Sequence, residues 1–115
     1  MSSPHPSPTP LSPAVFHVLL SLADGPLHGY AVMKRVEEDS GLAMGPGTVY
    51  GALQRLTEAG WVDERAVEDP DPRRTRAFGL TPAGIEALRQ EARRMQRLTS
   101  LNRIQALLDA RAVEG

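Results

Sequence analysis

The segment that decides the fold is GPGTVYGALQRLTEAGWV, residues 45–62. Its apolar side chains recur every three or four residues, which is the spacing of one face of an α-helix. Pro46 suits the first turn of that helix, and Gly60 suits the left-handed backbone that ends one. The segment therefore predicts an amphipathic helix from Pro46 to the residue before Gly60. Its inner face is expected to hold Val49, Ala52, Leu53 and Leu56.

Two helices are predicted before this segment. Ser12 and Pro13 offer a cap and a first-turn proline, and Asp24-Gly25-Pro26 stops the helix that they start. A second helix is predicted from near His28 to Ser40-Gly41. The expected inner residues are Phe16, Leu19, Leu20 and Ala23 in the first helix and Tyr30, Met33 and Val36 in the second.

A different pattern follows the segment. Residues 61–68 (WVDERAVE) and 75–80 (TRAFGL) are short and strand-like, and the turn DPDPRR lies between them. Two such runs around a proline-rich turn predict a β-hairpin. Thr81 and Pro82 then offer the start of a fourth helix, which is predicted to continue to about Val113.

Three helices, a two-stranded hairpin and a long last helix make a mainly α chain with the element order of a winged helix-turn-helix. In that architecture the third helix enters the major groove of DNA, and the hairpin, or wing, reaches the neighbouring backbone or minor groove. Residues 12–81 are interpreted as this DNA-binding domain and residues 82–115 as a C-terminal dimerisation helix. Residues 1–11, MSSPHPSPTPL, alternate proline with small polar residues and are predicted to be a disordered tail.

Composition limits the class of protein. The 115 residues suffice for one domain, and 41% hydrophobic and 23% charged residues are typical of a soluble globular chain. The absence of cysteine excludes disulfides and thiol chemistry. Because the chain has neither an apolar run of about 20 residues nor a signal peptide, a cytoplasmic protein without membrane contact is expected. The net charge of −1 leaves nucleic acid binding open, since the distribution of charge matters more than its sum.

Three segments resemble the PadR family of bacterial transcriptional regulators: LADGPLHGYAVMKRVEE (22–38), GPGTVYGALQRLTEAGWV (45–62) and RAFGLTPAG (76–84). The likeness covers roughly residues 14–90, and the short C-terminal region is similar to the small subclass of that family. The resemblance implies a homodimeric winged-helix protein, usually a repressor, that responds to small aromatic or drug-like molecules such as phenolic acids. One departure is Ala77-Phe78, where the family commonly has a tyrosine pair before the Leu-Thr.

The outer face of the third helix is the candidate DNA reader. If the apolar stripe faces inward, Thr48, Gln54 and Arg55 project outward together with Gly51 and Glu58. Gln54 has the amide geometry for adenine, Arg55 suits guanine or a phosphate, and Thr48 can donate to a phosphate from the first turn. The resemblance supports Thr48 and adds Tyr50 as a phosphate ligand. The alternative is that these residues are merely solvated.

Further DNA contacts are expected from two other places. His28, in the motif HGY, is expected near a phosphate, whereas Tyr30 is expected in the core. Lys34 and Arg35 are candidate phosphate ligands of the second helix, of which only one need face DNA. The wing carries Arg73, Arg74 and Arg76, which would add salt-sensitive affinity unless Asp69 and Asp71 in the same loop neutralise them.

The last helix is the candidate dimer interface, because a small core cannot cover an apolar stripe of that length and a second subunit can. Two-fold symmetry would then present two recognition helices to half-sites about 34 Å apart on a near-palindromic operator. The stripe consists of Ile85, Leu88, Ala92, Met95, Leu98, Leu101, Ile104 and Leu108.

The sequence therefore predicts a sequence-specific DNA-binding transcriptional regulator, a ligand-responsive homodimeric repressor. The alternative is a winged-helix module that contacts only proteins, which the slightly acidic total charge permits. An enzyme is not expected, since His5, His17 and His28 lie too far apart for a metal site and no catalytic motif accompanies them. No metal or cofactor is predicted.

Overall fold

The computed structural model describes residues 10–114, and the side chains of residues 10–110. The order of its elements confirms the predicted mainly α winged helix-turn-helix with a two-stranded hairpin. Of the predicted disordered tail, all but Pro10 and Leu11 lies outside the described residues. The elements are α1 (Pro13–Ser21), α2 (Gly29–Ser40), α3 (Pro46–Glu58), β1 (Val62–Ala66), β2 (Arg76–Leu80), α4 (Pro82–Thr99) and α5 (Asn102–Glu114).

α1 begins, and α2 and α3 end, at the capping residue and the glycines that the sequence predicts. The Ser12 hydroxyl accepts a hydrogen bond from the Val15 N–H at 3.2 Å and so caps α1. Gly41 ends α2 with φ of 72°. Gly60 follows α3 with φ of 82°, and the next residue, Trp61, donates its N–H to the Leu56 carbonyl at 2.9 Å. This closure turns the chain sharply from α3 into β1.

The core forms where α1, α2, α3 and the start of α4 meet. All four predicted inner residues of α3 are buried in it, which confirms the predicted orientation of that helix. Burial of these apolar side chains is the main source of the stability of the fold. The buried apolar residues are Val18, Leu19, Leu22, Val32, Val36, Val49, Ala52, Leu53, Leu56, Trp61, Val62, Ala87 and Leu88.

The first two helices differ in detail from the sequence prediction. The inner position of α2 predicted for Tyr30 belongs to Val32, one turn before the buried Val36, while the Tyr30 side chain is 57% exposed. The prediction for Tyr30 was wrong because the helical spacing was counted from Tyr30 itself. The face of α2 that meets the core starts two residues later, at Val32. Similarly, Ala23 is exposed because α1 ends at Ser21 rather than at Asp24.

The hairpin pairs β1 with β2 antiparallel, from Val62 opposite Leu80 to Ala66 opposite Arg76. A short 3₁₀ turn, Pro72–Arg74, lies in the loop between the strands. Outside the hairpin, Leu27 donates to and accepts from Phe78 across a single β-bridge, at 3.0 and 2.8 Å. The loop before α2 is therefore bonded directly to the wing.

The C-terminal region is two helices rather than the single helix predicted. Thr99 and Ser100 turn their hydroxyls back onto the carbonyls of Met95 and Gln96, at 2.9 and 2.7 Å, and such bonds compete with the helical ladder. The Gln105 side chain donates to the Thr99 carbonyl at 2.6 Å and satisfies an acceptor that the interrupted helix leaves free. The apolar periodicity continues through this break, which is why the sequence pattern did not reveal it.

α4 is attached to the DNA-binding half through its first turn. The Thr81 hydroxyl donates to the Gly60 carbonyl at 2.6 Å and accepts from the Gly84 N–H at 3.1 Å. Gly84 packs so closely on Trp61 that a side chain there would collide with the Trp61 carbonyl oxygen. None of the described helices combines the length and apolar composition that crossing a membrane requires.

Candidate nucleic-acid interface

The outer face of α3 is open to solvent, opposite the buried stripe. Thr48, Tyr50, Gln54 and Arg55 are all exposed there, as predicted from the helical spacing. Among the side chains of residues 10–110, no carboxylate forms a salt bridge with Arg55, so its charge is available to an outside anion. This face presents donors and acceptors of the kind that read base edges and phosphates.

Tyr50 lies at the side of this face, against the first turn of α2. A Cβ atom on Gly29 would lie only 2.5 Å from Cε1 of the Tyr50 ring and 2.7 Å from its hydroxyl oxygen. Real Cβ atoms do not approach other atoms that closely, so the ring occupies its position only because residue 29 has no side chain. Gly29 was not among the predicted site residues, although it stands in the HGY motif.

His28 caps the N-terminus of α2. Its Nδ1 accepts a hydrogen bond from the Ala31 N–H at 3.4 Å, which requires that Nδ1 carry no proton. In the neutral ring the proton is therefore on Nε2, which is left as a donor. The cap orients the imidazole beside Gly29 and Tyr50.

The wing arginines are paired with acidic residues. Asp71 accepts from Arg73 Nε and Nη2, at 3.1 and 3.0 Å, and its carboxylate lies 3.8 Å from Arg74 Nε. Arg76 lies 3.5 Å from Glu64 on the opposite strand. The side-chain hydrogen bonds from Arg73 hold the pKa of the Asp71 carboxyl below its ordinary value, so this residue is charged at neutral pH.

One cleft of about 370 Å³ joins the start of α2, α3 and the wing. The structure thus brings together five of the nine predicted DNA-binding residues, from three separate elements. Thr48, Gln54, Arg55 and Lys34 are not among its lining residues; Lys34 instead lies with its ammonium 6.0 Å from the centre of the Tyr30 ring. The lining residues are His28, Gly29, Tyr30, Tyr50, Asp71, Arg73, Arg74 and Arg76.

A second cleft, of about 330 Å³, lies on the other side of Tyr50 and has a different character. Glu58 of α3 and Glu64 of β1 contribute carboxylates, and Phe78 contributes an apolar ring. Phe78 stands where the resemblance leads one to expect a tyrosine, so this cleft has no phenol hydroxyl from the wing. Tyr50 therefore separates a basic cleft from an acidic and apolar one.

Glu91 of α4 is the buried charged side chain that the sequence analysis did not identify. It is 1% exposed, accepts from the Leu11 N–H at 3.2 Å and pairs with Arg94 at 2.8 and 2.9 Å. The hydrogen bonds from Arg94 hold the pKa of Glu91 below its ordinary value, although burial acts in the opposite direction. Ala92, which is predicted for the dimer interface, is exposed in the single chain. The signal was the small residues Gly84 and Ala87, two turns and one turn earlier on the face that packs against the core.

The predicted dimer stripe divides into two groups. Leu88 is buried in the core of its own chain, and Met95, Leu101 and Ile104 are half-buried. Large apolar side chains that the chain itself leaves exposed remain on α4 and α5, and Leu107, which was not predicted, is 64% exposed. We call this group the C-terminal apolar set: Ile85, Leu98, Leu107 and Leu108.

The described residues around these clefts do not group the ligands of a metal site. Within the part of the chain that the structure describes, no three histidine, aspartate or glutamate side chains are grouped as a metal site. The polar groups of the basic cleft are donors around a single carboxylate, an arrangement suited to holding an anion.

Comparison with known proteins gives a family match. Residues 18–90 match the model of the transcriptional regulator PadR-like family. Transcriptional regulator Rv3488 of Mycobacterium tuberculosis is 33% identical over 84 residues, which cover 71% of this chain and 75% of that protein. An uncharacterised 37.1 kDa protein in transposon TN4556 of Streptomyces fradiae is 51% identical over 82 residues. The match covers 71% of this chain but only 23% of the length of the Streptomyces protein.

Solved structures share the fold. RosR of H. salinarum superposes with a TM-score of 0.68 at 20% identity, over 95% of this chain and 100% of that one. Bacillus subtilis PadR, whose structure was solved in complex with operator DNA, superposes with a TM-score of 0.57 at 23% identity, over 66% of this chain and 44% of that one.

Proposed function

This chain belongs to the PadR-like family of transcriptional regulators, and we propose that it acts as a homodimeric repressor that binds a near-palindromic operator in duplex DNA. The observation that carries the proposal is the basic cleft, where His28, Tyr50 and the wing arginines meet beside the exposed face of α3. The operator complex of the Bacillus subtilis relative is consistent with such a use of the fold.

The proposed division of labour follows the two surfaces. Gln54 and Arg55, on the outer face of α3, are proposed to reach base edges, since amide and guanidinium groups suit adenine and guanine. Thr48 is proposed to donate to a phosphate from the first turn of α3. The residues of the basic cleft are proposed to hold the DNA backbone, which fixes the register of the helix but carries no sequence information. Lys34, exposed on α2, is proposed as an additional backbone contact.

The proposed dimer rests on the C-terminal apolar set. Large apolar side chains exposed along two helices are energetically unfavourable in water, and a second copy of the chain would cover them. A two-fold axis at α4 and α5 would place two copies of α3 on successive turns of one DNA face. Ligand responsiveness is proposed from the family resemblance, through a change in the relative position of the two copies.

A mobility shift with DNA from upstream of the gene tests this function. We expect binding that weakens steeply with salt, because arginine contacts to phosphates release counterions. The double variant Tyr50→Ala, Arg55→Ala should lose most of the binding, whereas Arg89→Ala on α4, where Arg89 pairs with Glu86, should retain it. Absence of binding at low salt would instead favour a module that contacts only proteins. Full binding by the double variant would show that α3 is not the DNA reader.

A further inference from the structure

The wing holds a carboxylate in the middle of its arginines. The Asp71 side chain is 26% exposed, whereas the Arg73 side chain is 89% exposed. Asp71 is therefore less accessible than the arginine that it pairs with, and both line the basic cleft. It uses Oδ1 twice, accepting from the Arg73 N–H at 2.9 Å as well as from Arg73 Nε at 3.1 Å.

We propose that Asp71 is an internal competitor for the anion that the wing binds, and that it weakens the hold of Arg73 and Arg74 on a DNA phosphate. This inference rests on the proposed function for the identity of that anion. Asp71, Arg73 and Arg74 line the same cleft as Tyr50, so a phosphate that uses both guanidinium groups there also lies close to this carboxylate.

Two effects of Asp71 oppose each other. Its hydrogen bonds order the Arg73 side chain, which favours binding, and its negative charge repels a phosphate in the same cleft, which disfavours binding. The ordering effect is small, because Arg73 is almost fully exposed and such surface pairs contribute little. The repulsion needs no fixed side-chain geometry, so it persists at an exposed site where the ordering effect is small. Repulsion therefore outweighs ordering.

The consequence is that the wing binds anions less tightly than its arginines alone would. Phosphate contacts are independent of DNA sequence, so weakening them lowers the part of the affinity that every duplex shares. The exposed face of α3 has no such competitor, because Arg55 has no carboxylate partner among the described side chains. Asp71 thus shifts the balance of recognition from the wing towards α3.

The chain offers a closely matched control. Asp69 lies two residues earlier in the same loop, is likewise followed by proline, and accepts from the Asp71 N–H at 2.9 Å. Among the side chains that the structure describes, those of residues 10–110, no arginine forms a salt bridge with Asp69. Asp71→Asn and Asp69→Asn each remove one negative charge and keep a side-chain oxygen for the local turn. Only Asp71→Asn removes a carboxylate bonded to the wing arginines.

The experiment measures the affinity of the full chain and of both variants for a duplex selected from random-sequence DNA, over a range of salt. We expect Asp71→Asn to bind about threefold to tenfold more tightly at low salt, with a steeper salt dependence. Asp69→Asn should increase the affinity by less than half as much. Equal gains by both variants, no gain for Asp71→Asn, or weaker binding by Asp71→Asn would overturn the proposal.

A second readout separates this proposal from the proposed function. Elution from immobilised heparin, a polyanion without sequence, reports the anion affinity of the wing even if no duplex is bound. Asp71→Asn should elute at higher salt than Asp69→Asn and the unaltered chain, and the shift should vanish when Arg73→Ala and Arg74→Ala are added. Failure of duplex binding with this heparin shift overturns the operator proposal alone, whereas duplex binding without the shift overturns the role of Asp71.

Discussion

α3 buries its apolar residues within the chain, whereas α4 and α5 leave several of theirs exposed. The four inner residues of α3 are completely enclosed within one chain, whereas Ile85, Leu98, Leu107 and Leu108 remain exposed. The difference shows that the winged helix-turn-helix supplies its own core and that the C-terminal helices do not. Stability and assembly should accordingly respond to different leucines.

The largest expected effect separates the two regions by stability. Leu53→Ala removes a fully buried side chain from α3 and should lower the free energy of unfolding by about 2–5 kcal/mol. Leu107→Ala removes the same atoms from an exposed position and should change the stability of the single chain by less than about 0.5 kcal/mol. Urea unfolding at one low protein concentration measures both, because a dimer makes stability depend on concentration. Equal losses would mean that the two regions do not differ in this way.

The second prediction concerns assembly. Leu98→Glu together with Leu107→Glu places charges in the C-terminal apolar set and should weaken self-association by about a hundredfold or more, because a buried unpaired charge is costly. Sedimentation velocity measures the change, and circular dichroism should show that the helices are retained. As a control, Leu42→Glu alters a leucine that is also exposed but lies in the loop before α3. If the Leu42 variant dissociates and the double variant does not, the apolar set has been placed wrongly.

The third prediction concerns how α2 positions α3 for DNA. Gly29→Ala should displace the Tyr50 ring and reduce DNA affinity about tenfold, the order of one hydrogen bond to a charged group. Fluorescence anisotropy with the selected duplex measures this loss. If Gly29 acts only through Tyr50, Gly29→Ala should not reduce the DNA affinity of a Tyr50→Ala chain any further. A loss of the same size in that background would show that Gly29 contributes in some other way.

The smallest effect is a pH dependence that belongs to α4. Because the pKa of Glu91 is lower in the folded chain than in the unfolded one, its stabilising contribution is complete above the unfolded value, about 4.3. That contribution should be lost as the pH falls from there through the folded pKa. Melting temperatures from pH 7 to pH 3 should therefore fall more steeply for the unaltered chain than for Glu91→Gln. Glu86→Gln, at an exposed ion pair on the same helix, should keep the steep fall.

The sequence predicts the fold well where periodicity and punctuation agree. In α3 a proline, a clear apolar stripe and a closing glycine all point to one helix, and its bounds and inner residues were predicted correctly. On α4, Ile85 and Leu98 lie where the single chain leaves them exposed. The face that packs against the core instead carries Gly84, Ala87 and Glu91 beside Leu88. A glutamate in an arginine-rich helix ordinarily indicates a solvated face, so its burial could not be inferred from spacing.

The candidate site was predicted in its parts but not in its arrangement. His28, Tyr50 and the wing arginines were each identified from residue type and motif, and their roles stay predictions. That they share one cleft depends on the direction that the chain takes after the predicted turn at Gly60 and on a bridge between distant residues, whose pairing leaves no local signal. The choice between Asp69 and Asp71 as the arginine partner likewise depends on side-chain direction in a short loop, which only the folded chain defines.

The bridge between Leu27 and Phe78 has a mechanical consequence. Because both backbone groups of Leu27 are bonded to Phe78, the wing is coupled to the start of α2 and does not swing as a free flap. Since α3 packs on α2 through the core, α3 and the wing are both held to α2. If two copies assemble through α4 and α5, the interrupted ladder at Ser100 would be the point at which the two helices of each copy can turn relative to one another. The span between two half-sites would then be adjusted at a hinge remote from every base contact.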